Sequence, residues 1–89
     1  MTLTLGRVVT TPGVLRTLEE AGVSPASFLI RHANGDWGEL DEHDRKENEF
    51  SLNNGFRVLS SYTLSNGERV WVITEADRSS TCILLPSEY

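Results

Sequence analysis

The spacing of apolar residues changes character three times along the chain. Leu3, Leu5, Val8 and Val9 alternate loosely ahead of Thr10 and Thr11, which predicts a short first strand from Leu3 to Val9 ending at those threonines. The period then becomes helical. Thr11 supplies a capping hydroxyl and Pro12 takes the first helical position, where no N–H is needed; Val14, Leu15, Leu18 and Ala21 recur at helical spacing up to Gly22. A helix over about 12–21 follows. The same grammar repeats in Ser24, Pro25, Phe28, Leu29, His32 and Ala33, stopped by Asn34-Gly35, and predicts a helix over about 25–33. Asp41, with Asp44 three residues on, resembles a helix cap, so a third helix is expected over about 42–53, ended by Gly55. Its apolar content is thin, which places it on the surface, held by Phe50 and Leu52 in its last two turns.

Beyond Phe56 the period falls to two. Phe56, Val58, Ser60, Tyr62 and Leu64 share one face, Asn66-Gly67 suits a two-residue type I′ turn, and Glu68 to Thr74 returns. That turn sets Tyr62 opposite Trp71, with Trp71 in the core. The polar run Glu75 to Ser80 makes a loop, and Thr81 to Leu85 forms a last strand stopped by Pro86. The expected architecture is α+β: an N-terminal strand, three short helices and a C-terminal three-stranded antiparallel β-meander, all in one domain over 1–89.

Composition narrows the class. With 38% hydrophobic and 24% charged residues, the chain is neither apolar enough for a membrane nor polar enough for disorder. No run approaches the roughly 18 apolar residues of a membrane helix. The N-terminus lacks a basic start followed by a long apolar stretch, so no secretory signal is expected. Cys82, the one cysteine, excludes an internal disulfide and a multi-cysteine zinc site. A cytoplasmic location is the expectation.

Charge adds a candidate site. Seven of the thirteen acids lie between Asp36 and Glu49, against only Arg45 and Lys46, so this window carries the whole net charge of −5. Such a lobe repels phosphate and attracts a basic protein partner, and direct nucleic-acid binding is not expected. The candidate partner-binding residues are Asp36, Trp37, Glu39, Glu42, Glu47 and Glu49; the commoner reading of such a run is a solvated helix face. Trp37, between two glycines, is either a local plug, the favoured reading, or a contact anchor. Arg31, His32, Asp77 and Arg78 form a second polar group. Within it, Asp77 and Arg78 suit the turn itself. His32 at a helix end is expected to carry a dipole-stabilised imidazolium that donates to the last carbonyls.

Other chemistry is not signalled. Neither G-x-G-x-x-G nor a P-loop is present, and no cofactor is implied. His32 and His43 with Asp36, Asp41 and Asp44 match no metal-ligand spacing, so no metal site is expected. No nucleophile elbow frames a serine, and Cys82, in an apolar strand, reads as a buried inert thiol. No residue is assigned a catalytic role.

The string Arg31-His32-Ala33-Asn34-Gly35-Asp36-Trp37-Gly38-Glu39-Leu40, the acidic stretch after it, Val70 to Arg78, and Leu84-Leu85-Pro86 together resemble a family of small bacterial proteins labelled plasmid-related or hypothetical and found on mobile elements. The resemblance covers about residues 28–89. It implies a bacterial cytoplasmic setting associated with plasmids or other mobile elements, and no assigned activity. Three functional classes follow. The first is a non-enzymatic protein-interaction module with an acidic helix for a basic partner. The second is a RelE/ParE-like ribonuclease toxin, whose best candidates would be Arg57, Arg69, Arg78 and Tyr62, and against which the acidic balance weighs. The third is a homodimeric assembly protein using the terminal strand edge.

Overall fold

Each helix starts where a side-chain oxygen can meet a free backbone N–H. In a computed structural model, which describes residues 2–89, Thr11 Oγ1 accepts from Val14 N at 3.2 Å, Ser24 Oγ from Ala26 N at 3.3 Å and Asp41 Oδ1 from Asp44 N at 2.9 Å. These caps open α1 (Pro12–Ala21), α2 (Pro25–Ala33) and α3 (Glu42–Asn54). α1 has no acid in its own first turn. Glu88 supplies one from the far end of the chain, its Oε1 accepting from Thr11 Oγ1 at 2.6 Å and from Leu85 N at 2.9 Å. The Thr11 hydroxyl, then the Leu85 N–H, holds the Glu88 carboxyl below the usual range.

Four strands complete the fold: β1 (Arg7–Thr10), β2 (Val58–Thr63), β3 (Arg69–Thr74) and β4 (Ser80–Leu84), followed by a 3-10 turn at Pro86–Glu88. They form one sheet in the order β1-β4-β3-β2, antiparallel except that β1 runs parallel to β4. The class is α+β, but the sheet is mixed and four-stranded rather than a C-terminal meander alone. β4, the terminal strand, lies in the interior, so it offers no edge for assembly. The first strand also begins later than Leu3. Leu3 N donates to Ala33 O at 2.7 Å and Leu5 O accepts from Thr81 Oγ1 at 2.8 Å. Residues 3–5 therefore bond to α2 and to a side chain of β4 instead of joining the ladder.

The β2–β3 turn departs from the two-residue expectation. Gly67 N donates to Leu64 O at 2.9 Å, Leu64 N donates to Glu68 O at 2.8 Å, and only Gly67 of the loop has a positive φ, at 89°. This is a three-residue loop, Ser65-Asn66-Gly67, closed by a glycine in the left-handed region. One added loop residue shifts the register by one, and the side-chain period of two turns that shift into a change of face. Tyr62 pairs with Val70, and Trp71 pairs with Ser61 on the other face of the sheet. There Trp71 is half-buried, with Tyr89 edge-on at 5.7 Å.

Helices α1 and α2 cover the opposite face. Val14 and Leu18 of α1 and Phe28 of α2 pack on Tyr62, Val70, Val72 and Ile83, with Phe28 stacked on Tyr62 at 4.9 Å. A second cluster joins Leu3, Trp37 and Val58. α3 lies beside the β2 edge, and of the two apolar residues expected to hold it, Leu52 packs on the second cluster whereas Phe50 does not anchor the helix. Its buried residues are Asn48 and Ser51. The Asn48 amide replaces a neighbouring strand, donating from Nδ2 to Leu59 O at 2.6 Å and accepting from Leu59 N at 3.1 Å. Beyond it, Ser61 N donates to Trp37 O and Glu39 N donates to Ser61 O. The β2 edge is thereby closed.

Asn48→Ala strips both backbone groups of Leu59 from their partner. We expect a loss of about 2 kcal/mol in urea unfolding together with faster amide exchange at Leu59. An unchanged unfolding midpoint would show that Asn48 does not hold α3.

Candidate functional site

The acids of the candidate surface divide by what they touch. Asp36 is committed: Arg31 Nε donates to its Oδ2 at 2.7 Å and Gly38 N to its Oδ1 at 3.3 Å. The Arg31 guanidinium, helped by the Gly38 N–H, holds the Asp36 carboxyl below the usual range. Arg31 also lies 4.5 Å over the Tyr62 ring, whose hydroxyl donates to Asp36 O at 2.6 Å. Arg31 and Asp36 thus brace the loop that closes the β2 edge. Trp37 is 7% exposed and packs with Leu3 and Val58, so it is a plug and does not belong to the exposed partner surface.

Exposed acids remain before α3 and along it. Glu39, ahead of the helix, and Glu42, Glu47 and Glu49 on it are exposed, with Glu47 Oε1 3.9 Å from His43 Nε2, whereas Arg45, one of the two bases in the window, donates to Leu40 O at 3.2 Å and Gly38 O at 3.0 Å. At the end of this acidic helix, Phe50 is 55% exposed and Phe56 is 53% exposed. The two rings stack on each other at 5.7 Å with an interplanar angle of 12°. They border an open hollow of about 420 Å³ with Glu47, Ser51 and Arg57. Hydropathy alone assigns Phe50 to the core. The missed signal is Asn48 with Ser51, three apart, marking α3's buried side with polar residues.

His32 lies elsewhere, fully buried behind α2. Nδ1 is 2.5 Å from Ser60 Oγ and Nε2 is 2.9 Å from Thr74 Oγ1, which is 2.7 Å from Thr81 Oγ1. The proton positions follow from the far end of this chain. Thr81 must donate to the Leu5 carbonyl, which can only accept. Thr74 therefore donates to Thr81, His32 Nε2–H donates to Thr74, and Ser60 donates to Nδ1. The ring is neutral, and burial pushes its pKa down to about 4. This corrects the expected imidazolium at the helix end. Ser60 and His32 have the spacing of a nucleophile and base, but both are fully buried, and His32 borders a hollow of about 140 Å³ with Leu3, Trp37 and Leu52.

The other sequence candidates serve separate structural tasks. Asp77 Oδ1 accepts from Ser79 N at 3.0 Å. Arg78 has a left-handed φ of 62° and its guanidinium donates to Phe56 O, Ser51 O and Glu75 O, clamping the end of α3 to the β3–β4 turn. Arg57 pairs with Glu75 at 3.2 Å and donates to Tyr89 Oη at 2.9 Å. Tyr62 is buried and Arg69 begins β3, so the four ribonuclease candidates do not converge. Cys82 is half-buried, its thiol pKa pushed up by burial, then by Glu88 and Glu75. Among the described residues, no three His, Cys, Asp or Glu side chains group to hold a metal. No helix among them is long and apolar enough to cross a membrane.

The buried neutral His32 makes folding sensitive to pH. Its value near 4 lies below the ordinary 6.5 of the unfolded chain, so its contribution is fully present above pH 6.5. That contribution falls as pH drops toward 4, by about 3 kcal/mol in all. We expect urea unfolding between pH 7.5 and 4 to show this loss in the wild type and a shallower one in His32→Gln. Equal slopes for the two proteins would remove His32 as the cause.

No protein-family model matches the chain, and no curated protein or solved structure matches it.

Proposed function

We propose that the chain is a non-enzymatic protein-interaction module whose docking surface is the exposed side of α3 together with Phe50 and Phe56. Its partner is a basic protein segment carrying an apolar side chain that seats on the aromatic pair. The stacked, half-exposed Phe50–Phe56 pair at the end of an acidic helix is the observation that carries this reading. Two adjacent apolar rings left in water by a small domain have the character of an interface anchor, and the exposed acids along the same helix disfavour anionic competitors by charge. Glu42, Glu47 and Glu49 steer a cationic partner inward, while the rings determine how long it stays. A basic nucleic-acid-binding protein has the required chemistry, and the plasmid-associated setting implied by the resemblance is one in which such proteins act.

Affinity capture from a bacterial host, followed by binding kinetics with the captured protein, tests the proposal. Reversing Glu42, Glu47 and Glu49 to lysine should slow association by about tenfold at low salt, with the difference shrinking as salt rises. Phe50→Ala with Phe56→Ala should speed dissociation by about tenfold or more. Both variants should keep the wild-type circular dichroism, because all five side chains are exposed. Unchanged rates in both would leave α3 as solvated surface.

A further inference from the structure

The two edges of the sheet differ. The β2 edge is closed twice, by the Asn48 amide and by the Trp37–Glu39 segment. Among the described residues, neither device is found at the β1 edge. Its sequence, Arg-Val-Val-Thr, holds no proline and no lysine, and Val8 and Val9 are each 42% exposed. Arg7 N donates to Ser79 O and Thr11 N donates to Ile83 O, which sets the alternation of the parallel ladder. The N–H and C=O of Val8 and Thr10 therefore point away from β4.

We propose that β1 pairs with β1 of a second copy of this chain, antiparallel about a two-fold axis through Val9, to give a continuous eight-stranded sheet. Such an axis stands perpendicular to the sheet, so helices of both copies lie on one side and paired residues must share a face. With Val9 opposite Val9 of the second copy, Val8 meets Thr10 of the second copy, and the outward-pointing groups of both residues form four hydrogen bonds. Arg7 then lies opposite Thr11 of the second copy, so no like charges meet. The registers Val9↔Cys82, Cys82↔Ile73 and Ile73↔Leu59 align an apolar row across the face opposite α1 and α2, and the two-fold doubles that row across the junction.

Charge favours this edge over the other. α3, with four of the seven acids of the negative window, packs beside β2, three strand spacings from β1. In the dimer the two β2 strands stand seven spacings of about 4.8 Å apart, several times the screening length of about 8 Å at physiological salt. Copies of a chain with net charge −5 can thus meet at β1 with their acidic helices at opposite ends. Strands of four residues bury less than a standard interface of about 1,600 Å², so association is weak and depends on concentration.

Sedimentation velocity over a concentration series, with amide exchange followed by NMR, tests the pairing. The dimer fraction should rise with concentration, and the Val8 and Thr10 amides should slow with it, while Arg7 and Val9 amides stay protected throughout. Val9→Lys sets two ammonium groups against each other and should weaken the dimer by more than about tenfold. Val8→Pro removes an outward N–H that β4 does not use and should weaken it similarly, whereas Phe50→Ala with Phe56→Ala should leave it unchanged. Any of three results overturns the proposal: a monomer at every soluble concentration, a dimer indifferent to both β1 variants, or free exchange of Val8 and Thr10 amides in the dimer. A β1 edge that accepts only another protein's strand would give the first.

Discussion

The directional hydrogen-bond chain from Ser60 through His32, Thr74 and Thr81 to the Leu5 carbonyl is the constraint on which the rest of the fold depends. It joins α2, β2, β3, β4 and the segment before β1 at one buried point. The Thr74 and Thr81 hydroxyls in it both give and receive, so removal of one member strands its neighbours in a medium where an unpaired polar group is costly. The chain is complete only with a neutral ring, because a second ring proton would face Ser60, whose own proton would then lose its acceptor. Uniqueness of packing in this core therefore comes from polarity as well as from Val14, Leu18, Phe28 and Tyr62.

Around that point, arginine holds together what apolar burial does not reach. Arg31 braces the loop after α2 against Asp36 and Tyr62, Arg45 holds the start of α3 to Gly38 and Leu40, and Arg78 clamps its end. Planar guanidinium groups with several donors suit the task of gathering free carbonyls at helix ends and turns. α3 in consequence needs few apolar residues on its inner side. This frees its outer side to carry the acids and lets Phe50 stand in water beside Phe56. The open aromatic pair follows from how α3 is attached.

The sheet edges obey a related logic. A small α+β domain has two edges, and β2's is closed by side-chain and loop mimics of a strand, while β1's presents alternate backbone groups to solvent. Because α3 sits at the closed edge, the strongest electrostatic field is far from the open one. Two surfaces, one acidic and aromatic and the other a strand edge, are thus separated across the width of the molecule and can act independently.

Local chemistry determined much of this protein. Thr11-Pro12, Ser24-Pro25 and Asp41, with Gly22 and Gly55, specify three helices through caps and breakers acting within a few residues, and the helices stand where those signals place them. The acidic window and its exposure were likewise legible, because charged side chains avoid burial without partners. Tertiary structure decided the rest. One loop residue more or fewer at Ser65-Asn66-Gly67 reverses the face of Trp71, and local preference separates the two turns only weakly. β1 joins β4 through partners 73 positions apart, such as Arg7 and Ser80, a pairing with no local signature. His32 became a neutral core residue because Ser60, Thr74 and Thr81, distant in sequence, converge on it. Phe50 stayed in water because Asn48, through two hydrogen bonds to Leu59 that hydropathy does not register, took the inner side of the same helix together with the small Ser51.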